Sequence, residues 1–178
     1  MIVVDTNVIA YLWIPGTQSV LSEKALERDR EWIAPPLWVS EFRNILIRYL
    51  HSGYIGIETA AAILEQAESL FLDAVFPVRS ETVMKLAARS TLTPYDCEFA
   101  GLALEKNVFL VTSDKKMLKA FPEWTVSLRR FAGGETKRVT FECPGPKRES
   151  SVFPGATPGI PRSGKTGAPR ARSRTGRG

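Results

Sequence analysis

Four carboxylates in this 178-residue chain are placed where they can do chemistry together: Asp5, Glu41, Asp96 and Asp114. Asp5 ends the apolar, β-branched run Ile2-Val3-Val4, and Asp114 closely follows a second such run over residues 108–111. Ligands of open parallel sheets gather beyond the carboxyl ends of the strands, so acids at those positions are the first candidates. Asp96 falls in the first turn of a helix opening at Thr93-Pro94, and Glu41 lies on the flank of an apolar helical stripe of Trp38, Phe42, Ile45 and Tyr49. Two unit charges about 4 Å apart cost roughly 4 kcal/mol even at an effective dielectric near 20, so four acids drawn together need a cation or protons. An all-oxygen set favours a hard divalent ion, Mg²⁺ or Mn²⁺. Such an ion activates a water and neutralises a leaving oxygen, which lets a phosphodiester be cut without histidine. Singly, each acid also has a structural use. Asp96 can complete a capping box with Thr93, Asp114 can cap the helix after it, Asp5 can sit in a turn, and Glu41 can lie on a solvated helix face.

Composition removes the competing chemistries. The single histidine, His51, excludes cleavage by a pair of imidazoles and is placed at a helix end, and no G-x-S-x-G elbow accompanies it. Cys97 and Cys143 offer neither a disulfide framework nor zinc spacing. Asp5-Thr6-Asn7 has an amide where an aspartyl-phosphate phosphatase needs a second acid, and an amide cannot transfer the proton. Gly159-Ile160-Pro161-Arg162-Ser163-Gly164-Lys165-Thr166 satisfies the phosphate-loop pattern letter for letter, but the prolines around it forbid the strand and helix that a phosphate loop joins, so no nucleotide cofactor is expected.

The elements that must hold the acids alternate in type. Strands are expected at residues 2–4, 32–34, 74–78, 108–111 and 124–128, with Pro77 assigning the third to a sheet edge. Helices are expected at 8–13, 19–30, 37–52 (ended by Gly53), 57–72, 80–89 (capped by Ser80), 94–106 and 114–120. This alternation predicts an α/β fold: a three-layer α/β/α domain over residues 1–132 around a central parallel sheet of four to five strands. Residues 1–132 hold 14 basic and 16 acidic side chains, whereas residues 133–178 hold 10 and 3. That second segment also carries 9 of the 13 glycines and 6 of the 12 prolines, which predicts a basic, disordered C-terminal tail. Its seven arginines suit salt-sensitive, sequence-blind attraction to RNA, and its composition equally suits a segment with no selected role. No apolar run approaches the roughly 20 residues of a membrane span and the N-terminus lacks a basic leader, so a cytoplasmic protein is expected.

Val3-Val4-Asp5-Thr6-Asn7-Val8, Pro36-Leu37-Trp38-Val39-Ser40-Glu41, Thr93-Pro94-Tyr95-Asp96 and Leu110-Val111-Thr112-Ser113-Asp114-Lys115-Lys116 resemble, in order and spacing, the four acidic motifs of PIN domains, in particular the VapC-type toxin subunits of VapBC toxin-antitoxin systems. The resemblance covers roughly residues 1–131. It implies a metal-dependent endoribonuclease with Asp5, Glu41, Asp96 and Asp114 as acidic site and metal ligands, and with Thr6, Asn7, Thr112 and Ser113 as the accompanying polar residues. It also implies a VapB-like antitoxin partner and a homodimer; Tyr11-Leu12-Trp13 and Trp38 have a core role by default, and are the apolar surface such a partner would lie across if part of it is exposed. Arg43, Arg48, Lys115 and Lys116 flank the acids and are candidates for holding RNA phosphates, or simply solvated helix faces. Two further readings stay open: a PIN-fold module that binds RNA or protein without cutting, and a nuclease that processes RNA outside any toxin role.

Overall fold

The computed structural model describes residues 1–135; the expected tail from residue 136 onward, with Cys143 and the phosphate-loop-like segment, lies outside the described residues. Four short strands, β1 (Ile2–Val4), β2 (Trp32–Ile33), β3 (Leu110–Thr112) and β4 (Thr125–Ser127), form one parallel sheet in the order β2-β1-β3-β4. Register is set by Val3 opposite both Ile33 and Leu110, and by Val111 opposite Val126. The strands read as unbroken apolar runs because both faces of the sheet are covered; Val3, Val4, Leu110 and Val111 are fully buried.

Helices α1 (Thr6–Trp13) and α2 (Ser19–Arg28) connect β1 to β2. The long return to β3 uses α3 (Leu37–His51), α4 (Ile57–Leu70), α5 (Ser80–Ala88) and α6 (Pro94–Lys106), of which α6 packs on β1 and β3. Helix α7 (Lys115–Ala120) leads to β4, and α8 (Leu128–Ala132) follows, packed against α2. Because β2 lies on one side of β1 and β3 on the other, right-handed crossovers send α1 and α2 to one face and α6 and α7 to the opposite face. The chain therefore changes direction between β1 and β3, which opens a crevice at their carboxyl ends.

Two expectations are corrected. Residues 74–78 do not form a strand; they make a single parallel bridge, Ala34 opposite Val75, with Phe76 N donating to Ala34 O at 3.0 Å. Pro77 has no N–H to extend the ladder, so the edge position holds but pairing stops there. Ser80 is the first residue of α5 rather than its cap; Arg79 precedes the helix, its backbone N–H donating to Glu105 on α6 at 3.3 Å. The short α8, capped by Ser127 through Arg130 N, has no counterpart in the expected elements. Among the described residues no helix is long and apolar enough to cross a membrane.

Candidate active site

Asp5 is the first residue beyond β1 and lies at the crevice. Its Oδ1 accepts from Val8 N at 2.9 Å and so caps α1, while its Oδ2 accepts from the Thr112 hydroxyl and from Ser113 N at 3.3 Å. Burial of a carboxylate in so little water pushes its pKa up to about 6, although these same hydrogen bonds pull the other way. Thr112 does a second job: its Oγ1 accepts from Asp114 N at 2.9 Å, so one hydroxyl joins the tips of β1 and β3. Asp114 then caps α7, its Oδ1 accepting from Lys116 N at 2.6 Å and Met117 N at 3.4 Å.

Thr6 donates its hydroxyl to Glu41 Oε2 at 2.5 Å, which draws the flank of α3 to the start of α1. Burial raises the Glu41 pKa, and the charges of Asp96 and Glu98 on α6 raise it further, against the Thr6 hydrogen bond. Those charges place the start of α6 within electrostatic reach of Glu41. Asp96 sits in a full capping box: Thr93 N and Thr93 Oγ1 donate to Asp96 Oδ2 at 3.1 and 2.8 Å, and Asp96 N donates to Thr93 Oγ1 at 3.2 Å. The structural uses read for Asp96 and Asp114 are thus real, and Asp5 is a cap rather than a turn residue. The Asp96 and Asp114 caps each leave an oxygen to spare, since Asp96 Oδ1 and Asp114 Oδ2 make no hydrogen bond among the described residues.

None of Asp5, Glu41, Asp96, Glu98 or Asp114 forms an ion pair among the described residues, so their charge is uncompensated by side chains. By donor type and charge the set fits a hard divalent cation. The side chains are linked in pairs rather than gathered: among the described residues no three of His, Cys, Asp or Glu converge closely enough to hold a metal ion as they stand.

The accompanying residues divide. Thr6, Thr112 and Ser113 bind the acids directly, and Asn7 is exposed beside them. Arg43 turns instead toward α4, its Nη2 lying 3.1 Å from Glu68 Oε1. Arg48 borders the same cavity as Thr6 and Glu41, and Lys115 and Lys116 are exposed at the start of α7. Two participants have no signal in the sequence. Glu98 bears on Glu41, though a spacing of two on a helix puts it roughly 200° from Asp96. Tyr11 hydrogen-bonds with the Ser113 side chain and lies near Asp5; burial first, then the charges of Asp5 and Tyr49, raise its pKa. His51 is exposed at the last turn of α3 and takes no part.

The PIN domain family model matches residues 2–122. Ribonuclease VapC3 from Pyrobaculum aerophilum is 27% identical over 124 residues, 68% of this chain and 95% of that protein. Among solved structures, PAE2754 from Pyrobaculum aerophilum aligns with a TM-score of 0.61 at 20% identity, over 74% of this chain and 93% of that one. FitAcB from Neisseria gonorrhoeae aligns with a TM-score of 0.60 at 17% identity, over 72% and 99% respectively.

Proposed function

Because the chain belongs to the PIN domain family, we propose that it is a Mg²⁺- or Mn²⁺-dependent endoribonuclease, the toxin of a type II pair with a VapB-like antitoxin, acting as a homodimer. The observation that supports this most is Asp5: a buried carboxylate, pushed to about 6, at the switch point of the sheet, next to further acids that no lysine or arginine neutralises. A protein retains such an arrangement at a cost when another partner supplies the charge. The 27% identity with a protein named a ribonuclease supports the same substrate class.

In this reading Asp5, Glu41, Asp96 and Asp114 hold the cation, directly or through water. When bound, the cation supplies a hard Lewis acid that polarises the phosphodiester and makes a water more acidic. Asp5 is held rigid by its three donors and keeps one geometry through the reaction. Thr112 and Ser113 fix Asp5 from β3, and Thr6 fixes Glu41, so the polar residues of the motifs act as positioning groups. Hydrolysis takes a proton from water, breaks one P–O ester bond and returns a proton to the departing oxygen. Glu41, whose Oε1 makes no hydrogen bond among the described residues, is the group assigned to accept the first of these. Arg48, Lys115 and Lys116 contact phosphates and set register on the strand.

Incubation of the purified full chain with RNA, with added Mg²⁺ or Mn²⁺ and with EDTA, scored for new 5′ ends, tests the proposal. Metal-dependent ends that vanish in Asp5→Asn are expected; cutting that persists in EDTA refutes the metal requirement. A second reading, a module that binds RNA or protein without cutting, is favoured by the lack of any three converging carboxylates among the described residues. RNA binding with no new ends in either metal would establish it. A small antitoxin gene beside the coding sequence supports the toxin role, and its absence favours a general RNA-processing nuclease.

A further inference from the structure

The space beside the carboxylates continues past them. A cavity of about 520 Å³ bordered by Thr6, Asn7, Glu41 and Arg48 shares Asn7, Ile45 and Arg48 with a second, of about 620 Å³, between α1 and α3. Three tyrosines line that second cavity, Tyr11, Tyr49 and Tyr54. Tyr54 is 79% exposed and Tyr49 36% exposed, although both are large rings that a domain core would readily take.

Their placement is built into the end of α3. Gly53 adopts φ +74°, the left-handed conformation that favours glycine, and turns the chain back on the helix. Gly53 N then donates to Leu50 O and Tyr54 N to Tyr49 O, each at 3.0 Å, which brings the two rings edge to face with centroids 6.1 Å apart. Such a pairing after a helix end normally hides apolar surface, but here it raises a wall of aromatic rings in water. Tyr11 lines the same cavity and hydrogen-bonds with Ser113. Arg48 lies where the two cavities meet and forms no ion pair among the described residues. Aromatic faces on one side of a single cation, leading to a phosphodiester-cleaving site, match an unpaired nucleobase followed by its phosphate. A duplex keeps its base faces stacked inside itself and offers nothing to such a wall.

We propose that the cavity between α1 and α3 seats an unstacked base of single-stranded RNA against Tyr49 and Tyr54, with Arg48 holding the phosphate between that base and the carboxylates. The assignment rests on the nuclease reading for what the strand leads to, but its binding chemistry is separable from cleavage. The full-length Asp5→Asn chain, without metal, is titrated with a fluorescent, unstructured RNA of about ten nucleotides, alone and with Tyr54→Ala or Tyr54→Trp added. Tyr54→Ala is expected to weaken binding roughly tenfold, Tyr54→Trp to retain it, and a duplex of the same sequence to compete poorly. In the cutting chain with metal, Tyr54→Ala raises KM and leaves kcat in place, because the stacked base does not react. Equal affinity with and without the Tyr54 ring, or a duplex that competes as well as the single strand, overturns the proposal, and would leave a peptide as the occupant to try. If the Tyr54 dependence holds while the parent chain makes no new RNA ends, the groove assignment stands and the nuclease reading falls.

Discussion

Replacing Asp5 by asparagine should abolish cutting and, without metal, stabilise the fold. The Asp5 carboxyl titrates at about 6 when folded, against 3.8 as its ordinary value. At 1.36 kcal/mol per pH unit, the charged form costs the native state about 3 kcal/mol once the pH exceeds the folded value. The sign follows from the upward shift: native stability is greatest below the ordinary value, falls as pH rises between about 4 and 6, and is flat above. Asparagine removes the charge and keeps the bond from Val8 N to its oxygen. Its NH₂ takes the place of Oδ2, so the Thr112 hydroxyl must reverse and Ser113 N loses its acceptor, a cost of about 1 kcal/mol. The net gain at about pH 7.5 in EDTA is therefore about 1–2 kcal/mol, a rise of several degrees in Tm for a domain of this size. At about pH 4, near the ordinary value, little of the penalty remains and the gain should vanish. Saturating Mg²⁺ or Mn²⁺ should reverse the order at the higher pH, since ligand at a hundred times its Kd contributes about 2.7 kcal/mol to whichever chain binds it. Urea unfolding of both chains at the two pH values, with EDTA and with each metal, measures all of this. An Asp5→Asn chain less stable than its parent in EDTA at the higher pH, or equal stabilisation of both by metal, would falsify the reasoning.

Other substitutions probe the supports. Thr112→Val keeps volume but takes a donor from buried Asp5 and an acceptor from Asp114 N; a loss of about 1–3 kcal/mol in urea unfolding is expected, together with a higher Asp5 titration point. No change in either would show that the hydroxyl bridge is idle. Gly101→Ala would place a Cβ 2.9 Å from Val78 Cγ1 and 3.3 Å from Thr82 Cγ2, where α6 meets α5. Overpacking should outweigh the helix propensity gained, for a net loss of about 1–2 kcal/mol by thermal unfolding; a higher Tm would contradict that balance.

Much of this site was legible because its acids begin or end elements that have strong local signals. Thr93-Pro94-Tyr95-Asp96 carries its cap, its proline and its acid within four residues, and the structure reproduces the box atom for atom. Asp5 and Asp114 follow apolar β-branched runs whose strand ends set their position. What joins them was not legible: Thr112 reaches Asp5 across 107 residues of sequence, and Glu98 approaches Glu41 only through the packing of distinct helices. Residues 74–78 look like a strand because their apolar pattern is right, yet their pairing with Ala34 stops after one bridge because Pro77 has no N–H to extend it. Tyr49 falls on the buried stripe of α3 by periodicity, but that helix ends two residues later, and in its last turn Leu50 packs against the core while Tyr49 is left exposed. No count along the chain reveals that the stripe stops one turn early.

Asp5 and Asp114 each tie the opening turn of a helix with one oxygen. Asparagine performs that task about as well. Codons for the two amino acids differ by a single nucleotide, so, on the role proposed for the two acids, one transition at either position would retire the chemistry while the scaffold persists, and the reverse transition would restore it. A gene of this design can be switched off and on by inheritance without passing through an unfoldable ancestor.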